Sequence, residues 1–329
     1  MDLVHERDGE WLGIVRGYSV DLAFGDADEN DFTVVVPEAY CRDVDGSMIA
    51  EGDYLLFPET EWGGVVDGVE YDNTGDYPKL TYTGRTWHGM LSRKVIRPDA
   101  GQDYYTVSGD VQSVLSQVIQ RVGLSGVMQA VAGDQATVRS YRFDRYTDAY
   151  TGLCKMLKTV GMRLAVRKGM GKCEVCAVTA RDVSQGVDDN FLRFSMGESR
   201  PVNHLVCLGE GELSERVVVD LYMDGSGAVS QTQTFTGADE IAEVYDSNNE
   251  DAAGLIEKGT ERLQDYYVDA STIDAEIPDE VEAHIGDRVA GRSVTVPVSV
   301  TADVSTITVK AKYGGLPEVS YKVGSVKVL

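Results

Sequence analysis

The stretch Leu12-Gly-Ile-Val-Arg-Gly-Tyr-Ser-Val-Asp-Leu-Ala-Phe24 decides the character of the first third of the chain. Its even positions Leu12, Ile14, Tyr18, Val20, Leu22 and Phe24 are apolar, and a period of two marks a strand with one buried face. Gly25 and the acidic residues up to Asp31 break the pattern. Further strands are predicted over 32–36, 54–57, 65–71 and 80–83, separated by Gly, Asp and Pro clusters of the kind hairpins use. A small barrel is the expected closure, because closure removes exposed edges.

The period changes after about residue 105. Val111, Val114, Leu115, Val118, Ile119 and Val122 follow the spacing of an amphipathic helix, with Ser108 or Asp110 as cap and Gly123 as stop. A second helix carries Leu153, Met156, Leu157 and Val160, begins after Thr147 or Asp148 and ends at Gly161. Strands are predicted over 163–167 and 173–178, around a Gly-Met-Gly turn. β structure returns over 204–208 and 217–222, and one more helix presents Ala252, Leu255, Ile256, Leu263, Tyr266 and Tyr267 on one face. The C-terminal part alternates again. Val294, Val296, Val298 and Val300 form one run, Ile307, Val309 and Tyr313 a second, and Val319, Tyr321 and Val323 a third after the Gly314-Gly315 hairpin turn. The predicted class is α+β, mainly β. Residues 1–103 are expected to form a barrel-like domain. Residues 104–198 are expected to form an α/β domain completed by 240–276, and 199–239 with 277–329 a second barrel-like domain.

Composition excludes several function classes. The chain has 329 residues, of which 43 % are hydrophobic, enough for a sizeable core. Lys and Arg number 30 against 54 Asp and Glu, a formal charge of −24. Nucleic-acid binders neutralise phosphates with clustered Lys and Arg, and no such cluster occurs. The N-terminus, Met1-Asp-Leu-Val-His-Glu-Arg-Asp8, has neither the basic nor the apolar region of a signal peptide. No apolar run reaches the length of a membrane span, so membrane insertion is not expected. Five cysteines at 41, 154, 173, 176 and 207 do not make a disulfide framework, which suits synthesis in a reducing cytoplasm.

The candidates for chemistry are few. Cys173-Glu-Val-Cys176 is a lone CxxC inside a predicted strand, where positions three apart face opposite sides. His5, His88, His204 and His284 lie far apart and outside any HExxH pattern, so each is read as structural. Gly169-Met-Gly171-Lys172 joins strand to strand and lacks the spacing of a phosphate loop, so it reads as a turn. Asp26, Asp28 and Asn30 resemble the start of a calcium loop, but Asp31 stands where that loop needs Gly and Pro37 where it needs Glu. Asp43-Val-Asp45-Gly46 reads as a turn. Trp62, Trp87, Tyr104 and Tyr105 fit a glycan surface or a core and subunit interface. Gly63, Gly64, Gly286 and Gly291 are expected at backbone turns. No catalytic, metal or cofactor residue is predicted, and the chain is not expected to be an enzyme.

Three segments in order carry a resemblance. The first is Glu61-Trp-Gly-Gly-Val-Val-Asp-Gly-Val-Glu-Tyr71 with Leu80-Thr-Tyr-Thr-Gly-Arg-Thr-Trp-His-Gly-Met-Leu91. The second is Asn203-His-Leu-Val-Cys-Leu-Gly-Glu-Gly-Glu-Leu213, followed by Arg216, Leu221-Tyr222 and Val244-Tyr-Asp246. The third is Ile285-Gly-Asp-Arg-Val-Ala-Gly-Arg292, closing with Val319-Ser-Tyr-Lys-Val-Gly324. The chain thereby resembles the Gp37-like tail proteins of siphophages and prophages, which are similar to baseplate hub proteins and to the N-terminal hub part of tail-associated lysins. The resemblance implies a homotrimeric ring of tube domains that continues the tail tube and lets DNA pass without specific binding. It also implies a place in the virion tail after synthesis in the host bacterial cytoplasm. The implied neighbours are distal tail, tape-measure and tail-fibre or receptor-binding proteins. The chain ends soon after its last strand, so any wall-cleaving activity is expected on another polypeptide. The alternatives are a tail adhesin for host glycans and a cell-wall or polysaccharide hydrolase.

Overall fold

The computed structural model describes residues 1–25, 29–42, 47–183, 193–277, 281–293, 298–324 and 326–328. The expected calcium-loop start at Asp26 and Asp28, the turn at 43–46 and the strand positions Val294 and Val296 lie outside the described residues. Strand makes up 43 % and helix 18 %, which sets the class as α+β, mainly β. The chain divides into two units. One comprises Met1–Arg193 with Glu276–Leu329, the other Phe194–Ala275.

The first unit begins with strands β1 (Val4–Arg7), β2 (Glu10–Ile14), β3 (Ser19–Phe24), β4 (Asp31–Pro37), β5 (Tyr54–Leu56), β6 (Gly63–Asp72) and β7 (Lys79–Thr86), then helix α1 (Trp87–Ser92). The alternating run 12–24 is two strands rather than one. Gly17 takes φ +64° between them, and the inward face shifts by one residue: Val15 is buried while Ile14 is 48 % exposed. From Tyr18 onward the even positions are buried as predicted. Helix α1 lies within residues 1–103, expected to form a barrel-like domain, where no helix was predicted. Thr86 caps it by accepting the Gly89 amide.

Next come β8 (Thr106–Asp110), α2 (Val111–Arg121), β9 (Met128–Ala130), β10 (Thr137–Arg142), α3 (Ala149–Lys158), β11 (Met162–Arg167) and β12 (Cys173–Thr179). Asp110 caps α2 by accepting the Ser113 amide at 2.9 Å, and Asp148 caps α3 by accepting that of Thr151 at 2.8 Å. The buried faces of these helices join Val4, Leu56, Val65 and Trp87 in one apolar core with β9, β11 and β12. Residues 104–183 therefore share a core with the N-terminal strands.

The second unit holds β13 (Arg193–Glu198), β14 (His204–Leu208), β15 (Val218–Met223), β16 (Val229–Ser230), β17 (Ala242–Asp246), α4 (Ala252–Asp269) and β18 (Ser271–Glu276). β13 and β18 pair where the chain enters and leaves it. The other four strands form a sheet in the order β16-β15-β14-β17, with β14 and β17 parallel. Leu255 and Leu263 of α4 pack on Leu205, Cys207, Val219, Leu221 and Met223. Asn203 ties the start of the sheet, donating to the Asp239 carbonyl at 2.7 Å and accepting the Ile241 amide at 2.9 Å.

The C-terminal strands β19 (Arg288–Arg292), β20 (Ser299–Lys312), β21 (Glu318–Val323) and β22 (Lys327–Val328) return to the first unit. They extend its large sheet, ordered β19-β20-β3-β4-β7-β6-β5-β1-β2, with β21 and β22 also on β20. Thr308 pairs with both Ala23 and Ser320, so β3 and β21 flank β20 on opposite sides. The inward face of β20 changes parity beside a bulge: Val300, Ala302 and Val304 are buried before it, Ile307, Val309 and Ala311 after it. The contacts thus draw the boundaries differently from the sequence expectation. Strands β19 to β22 complete the N-terminal sheet rather than a barrel with 199–239, because β20 hydrogen-bonds along β3. Helix α4 covers β14 and β15 rather than completing the domain at 104–198.

The N-terminal hairpin is tied to the β11–β12 hairpin by a buried ion pair. Lys168 Nζ donates to both Glu6 carboxylate oxygens at 2.7 Å and to the Gly171 carbonyl at 2.7 Å. Both side chains are almost fully buried, and Trp11 Nε1 adds a bond to Glu6. On the other face of the same strand, Asp53 accepts from His5, Arg7 and the Ala50 amide. Burial pushes the Asp53 carboxyl up, but these partners outweigh it and hold it below its ordinary value. Removing one partner of a buried pair leaves an uncompensated charge, at a cost of roughly 3–5 kcal/mol. Lys168→Met is therefore expected to lose about that much in urea unfolding, and Lys168→Met combined with Glu6→Gln to recover most of the loss.

Candidate functional site

Two features stand out in the first unit. The first is the edges of its large sheet, among them β2 and β21. Among the described residues, no strand pairs with the outer side of β2 or of β21. Isolated sheet edges usually carry Lys, Pro or bulges that prevent pairing with another chain. β2, Glu-Trp-Leu-Gly-Ile, has no Lys and no Pro and leaves Trp11 41 % and Ile14 48 % exposed, though its register with β1 shifts between His5 and Glu6, and β21 carries Lys322. At the other edge, the turn before β21 exposes Tyr313 and Leu316.

The second feature is a buried charge network built from residues of the first and third sequence segments. Asp287, at the start of β19, is fully buried. It accepts from the Arg181 amide at 3.0 Å, from Arg181 Nε at 3.0 Å and Nη2 at 2.8 Å, and from the His284 amide at 3.0 Å. Arg163 of β11 lies between this carboxylate and Glu61, with Nε 3.3 Å from Asp287 and Nη1 3.9 Å from Glu61. Glu61 in turn is 3.9 Å from Nε2 of His88, on α1. The His88 ring stacks on Phe24 with centroids 4.5 Å apart and meets Tyr150 edge-on. Burial pushes the Glu61 carboxyl up to about 7, with Arg163 and the Val166 amide opposing it. Burial holds the His88 imidazole down at about 3. The His284 imidazole is also lowered, by burial and then by Arg163 and Arg181. Gly286 keeps the third segment against β11. Its φ is +86°, and a Cβ there would come within 2.9 Å of the Arg163 Cβ.

The residues singled out from sequence are scattered. Cys173 is buried and Cys176 half-buried on the opposite face of β12, and burial raises both thiols. His5 is bonded to Asp53, and His204 in the second unit sits between Glu240 at 2.7 Å and Asp220 at 2.8 Å. Gly169 to Lys172 form the turn between β11 and β12. Trp87 lies in the core at 1 % exposure, which removes it from any glycan surface. Trp62 packs edge-on to Phe57, Tyr105 stacks on Phe143 beneath Arg121, and Tyr104 lies under Arg142. Gly64 is required by close approach, since a Cβ there would be 1.9 Å from the Arg85 carbonyl oxygen. Among the described residues, no group of three or more His, Cys, Asp or Glu is placed to hold a metal, and no helix is long and apolar enough to cross a membrane. Sequence reasoning missed Glu6, Lys168, Arg163, Arg181 and Asp287. The only signal was that Glu61, His88 and Asp287 fall within the quoted segments.

No protein-family model matches the chain, and comparison with characterised proteins by sequence gives no match. Solved structures do align over nearly its whole length. A tail protein from Neisseria meningitidis MC58 is 11 % identical with a TM-score of 0.47, covering 98 % of this chain and 96 % of that one. The prophage tail protein gp18 from Listeria monocytogenes EGD-e is 12 % identical with a TM-score of 0.46, covering 98 % and 94 %. The 43 kDa tail protein of prophage MuSo2 from Shewanella oneidensis is 11 % identical with a TM-score of 0.46, covering 98 % of each chain.

The network gives opposed pH dependences. Glu61 has a raised folded pKa, so its contribution to stability is full below its ordinary value of 4.5 and is lost as pH rises through about 7. His88 has a lowered folded pKa, so its contribution is full above 6.5 and is lost as pH falls. Between these ordinary values the two cancel in the parent protein. Glu61→Gln is expected to gain stability relative to the parent as pH rises from 5 to 8, by about 3 kcal/mol at most. His88→Phe is expected to gain relative to the parent as pH falls over the same range. Urea unfolding at stepped pH reads both differences, and a pH-independent difference for either variant contradicts the assignment.

Proposed function

We propose that this chain is a structural component of a bacteriophage or prophage tail tip, a hub subunit that closes into a trimeric ring and continues the tail tube. The observation that carries this reading is the open large sheet. Its β2 edge exposes backbone groups and the apolar side chains of Trp11 and Ile14, which a second copy can satisfy, and edge-to-edge pairing around a rotation axis is how such sheets close. The order of the three sequence segments supports the same reading. The charge suits a passive conduit: at −24 per chain, a lumen lined by this protein repels phosphates rather than holding them. The network around Glu61 and Asp287 joins parts of the fold. The reading therefore assigns no catalysis to this chain. Distal tail, tape-measure and tail-fibre or receptor-binding proteins are its proposed neighbours.

Light scattering over a concentration series tests the reading. The parent chain is expected to approach three times 35.8 kDa. Ile14→Lys, which puts a charge on the exposed side of β2, is expected to stay monomeric with an unchanged circular dichroism spectrum. A parent that stays monomeric throughout, or a trimer indifferent to Ile14→Lys, counts against assembly through this edge.

A further inference from the structure

A cleft of about 700 Å³ in the first unit lies between α3, β11 and the end of β12 on one side and the β19–β20 region on the other. Its lining reverses the charge of the molecule. Lys155, Lys158, Arg163, Arg181 and Arg288 line it, against only Asp182 and Asp303. The lining holds three more cations than carboxylates, with Lys155 and Arg181 also paired to Asp144 and Asp287 outside it. Asp303 is already shared, bound by Lys158 at 2.6 Å and by Arg288 at 3.4 Å. The floor is apolar, with Met162, Leu164, Ile285 and Val304.

Arg163 is the sharper observation. Its side chain is 10 % exposed, yet its Nε and Nη1 have no hydrogen-bond partner, despite the nearby carboxylates of Asp287 and Glu61. Buried donors without partners are rare and costly, and a guanidinium nitrogen is a strong donor to a carboxylate. Glu61 is a weak competitor for those nitrogens, because its pKa of about 7 leaves it partly protonated near neutrality. Gly161, Gly286 and Gly324 on the rim leave backbone accessible to an extended chain.

We infer that this cleft is a docking site for an acidic peptide segment of a partner protein, whose carboxylates meet the cationic rim and Arg163 while its apolar side chains rest on the floor. The surface belongs to a single protomer, so the inference does not depend on ring formation. An apolar floor with a charged rim and one buried anchor is the usual anatomy of a specific peptide site, and complementary charge supplies selectivity and rate of association.

The test is fluorescence anisotropy of a labelled, end-capped peptide of alternating Asp and Leu on the full chain at low salt. The same peptide with Asn for Asp serves as control, and inorganic phosphate as competitor. The acidic peptide is expected to bind and to dissociate as salt is raised, and the Asn peptide not to bind. Lys158→Ala with Arg288→Ala, both on the exposed rim, is expected to weaken binding about tenfold or more, and Arg163→Gln at least as much. Lys79→Ala, on an exposed lysine outside the cleft lining, is expected to change nothing. If Arg163→Gln does not fold, the rim double variant decides alone. Equal binding of the two peptides, affinity unchanged in the rim variant, or complete displacement by equimolar phosphate would overturn the inference. The last outcome would mark a simple oxyanion site instead.

Discussion

Asp287 is a carboxylate with no exposure to water, and the first unit is arranged around it. A buried charge is tolerated only when hydrogen bonds and an opposite charge replace its hydration. Arg181 supplies three donors from the end of β12, and the His284 amide closes the turn before β19. The Asp287 carbonyl accepts from Val304 on β20, and the Arg288 amide donates to the Arg181 carbonyl. One residue thereby ties the returning C-terminal strands to the α/β layer, and Arg163 passes the tie to Glu61 and α1. The two stretches of the first unit are separated in sequence by the whole of the second, so their register needs a specific lock. Apolar burial alone is non-directional and does not provide one. The Glu6–Lys168 pair performs the same task for the N-terminal hairpin.

This division of labour bears on function. Apart from Arg163, the charged groups described above as buried join elements of the fold, and the surfaces left incomplete are sheet edges and the cleft beside Arg163. Function is argued from sites rather than folds. What this molecule offers a partner is backbone along β2 and β21 and a basic cleft beside Arg163. In the proposed assembly, an acidic exterior would keep the subunit soluble beforehand, and sheet pairing and apolar contact would supply the attraction.

Much of the fold was legible in the sequence. Short runs between turn clusters marked β4, β6 and β7, a period-two run marked β21, and the spacing of Val111 to Val122 marked α2 with Asp110 as one of two candidate caps. Local patterns predict local structure, and they failed where geometry depends on distant partners. The left-handed turn at Gly17 split one alternating run into two strands with opposite faces. The pairing of β20 with β3 joins residues nearly three hundred apart, and no periodicity encodes it. Glu6, Arg163 and Asp287 read as ordinary solvated charges among the 84 charged residues, because nothing in a charged side chain's immediate neighbours announces that it will be buried. The candidate glycan residue Trp87 shows the converse: an aromatic in a strand-like segment proved to be the start of a buried helix.

An electron-microscopy map of the assembled particle tests the central claim most directly. The account predicts a closed three-fold ring with an open, carboxylate-lined pore, in which β2 or β21 of one protomer lies within backbone hydrogen-bonding distance of a strand from the next. A ring whose protomers meet through other faces, with both of these edges left in solvent, would contradict it.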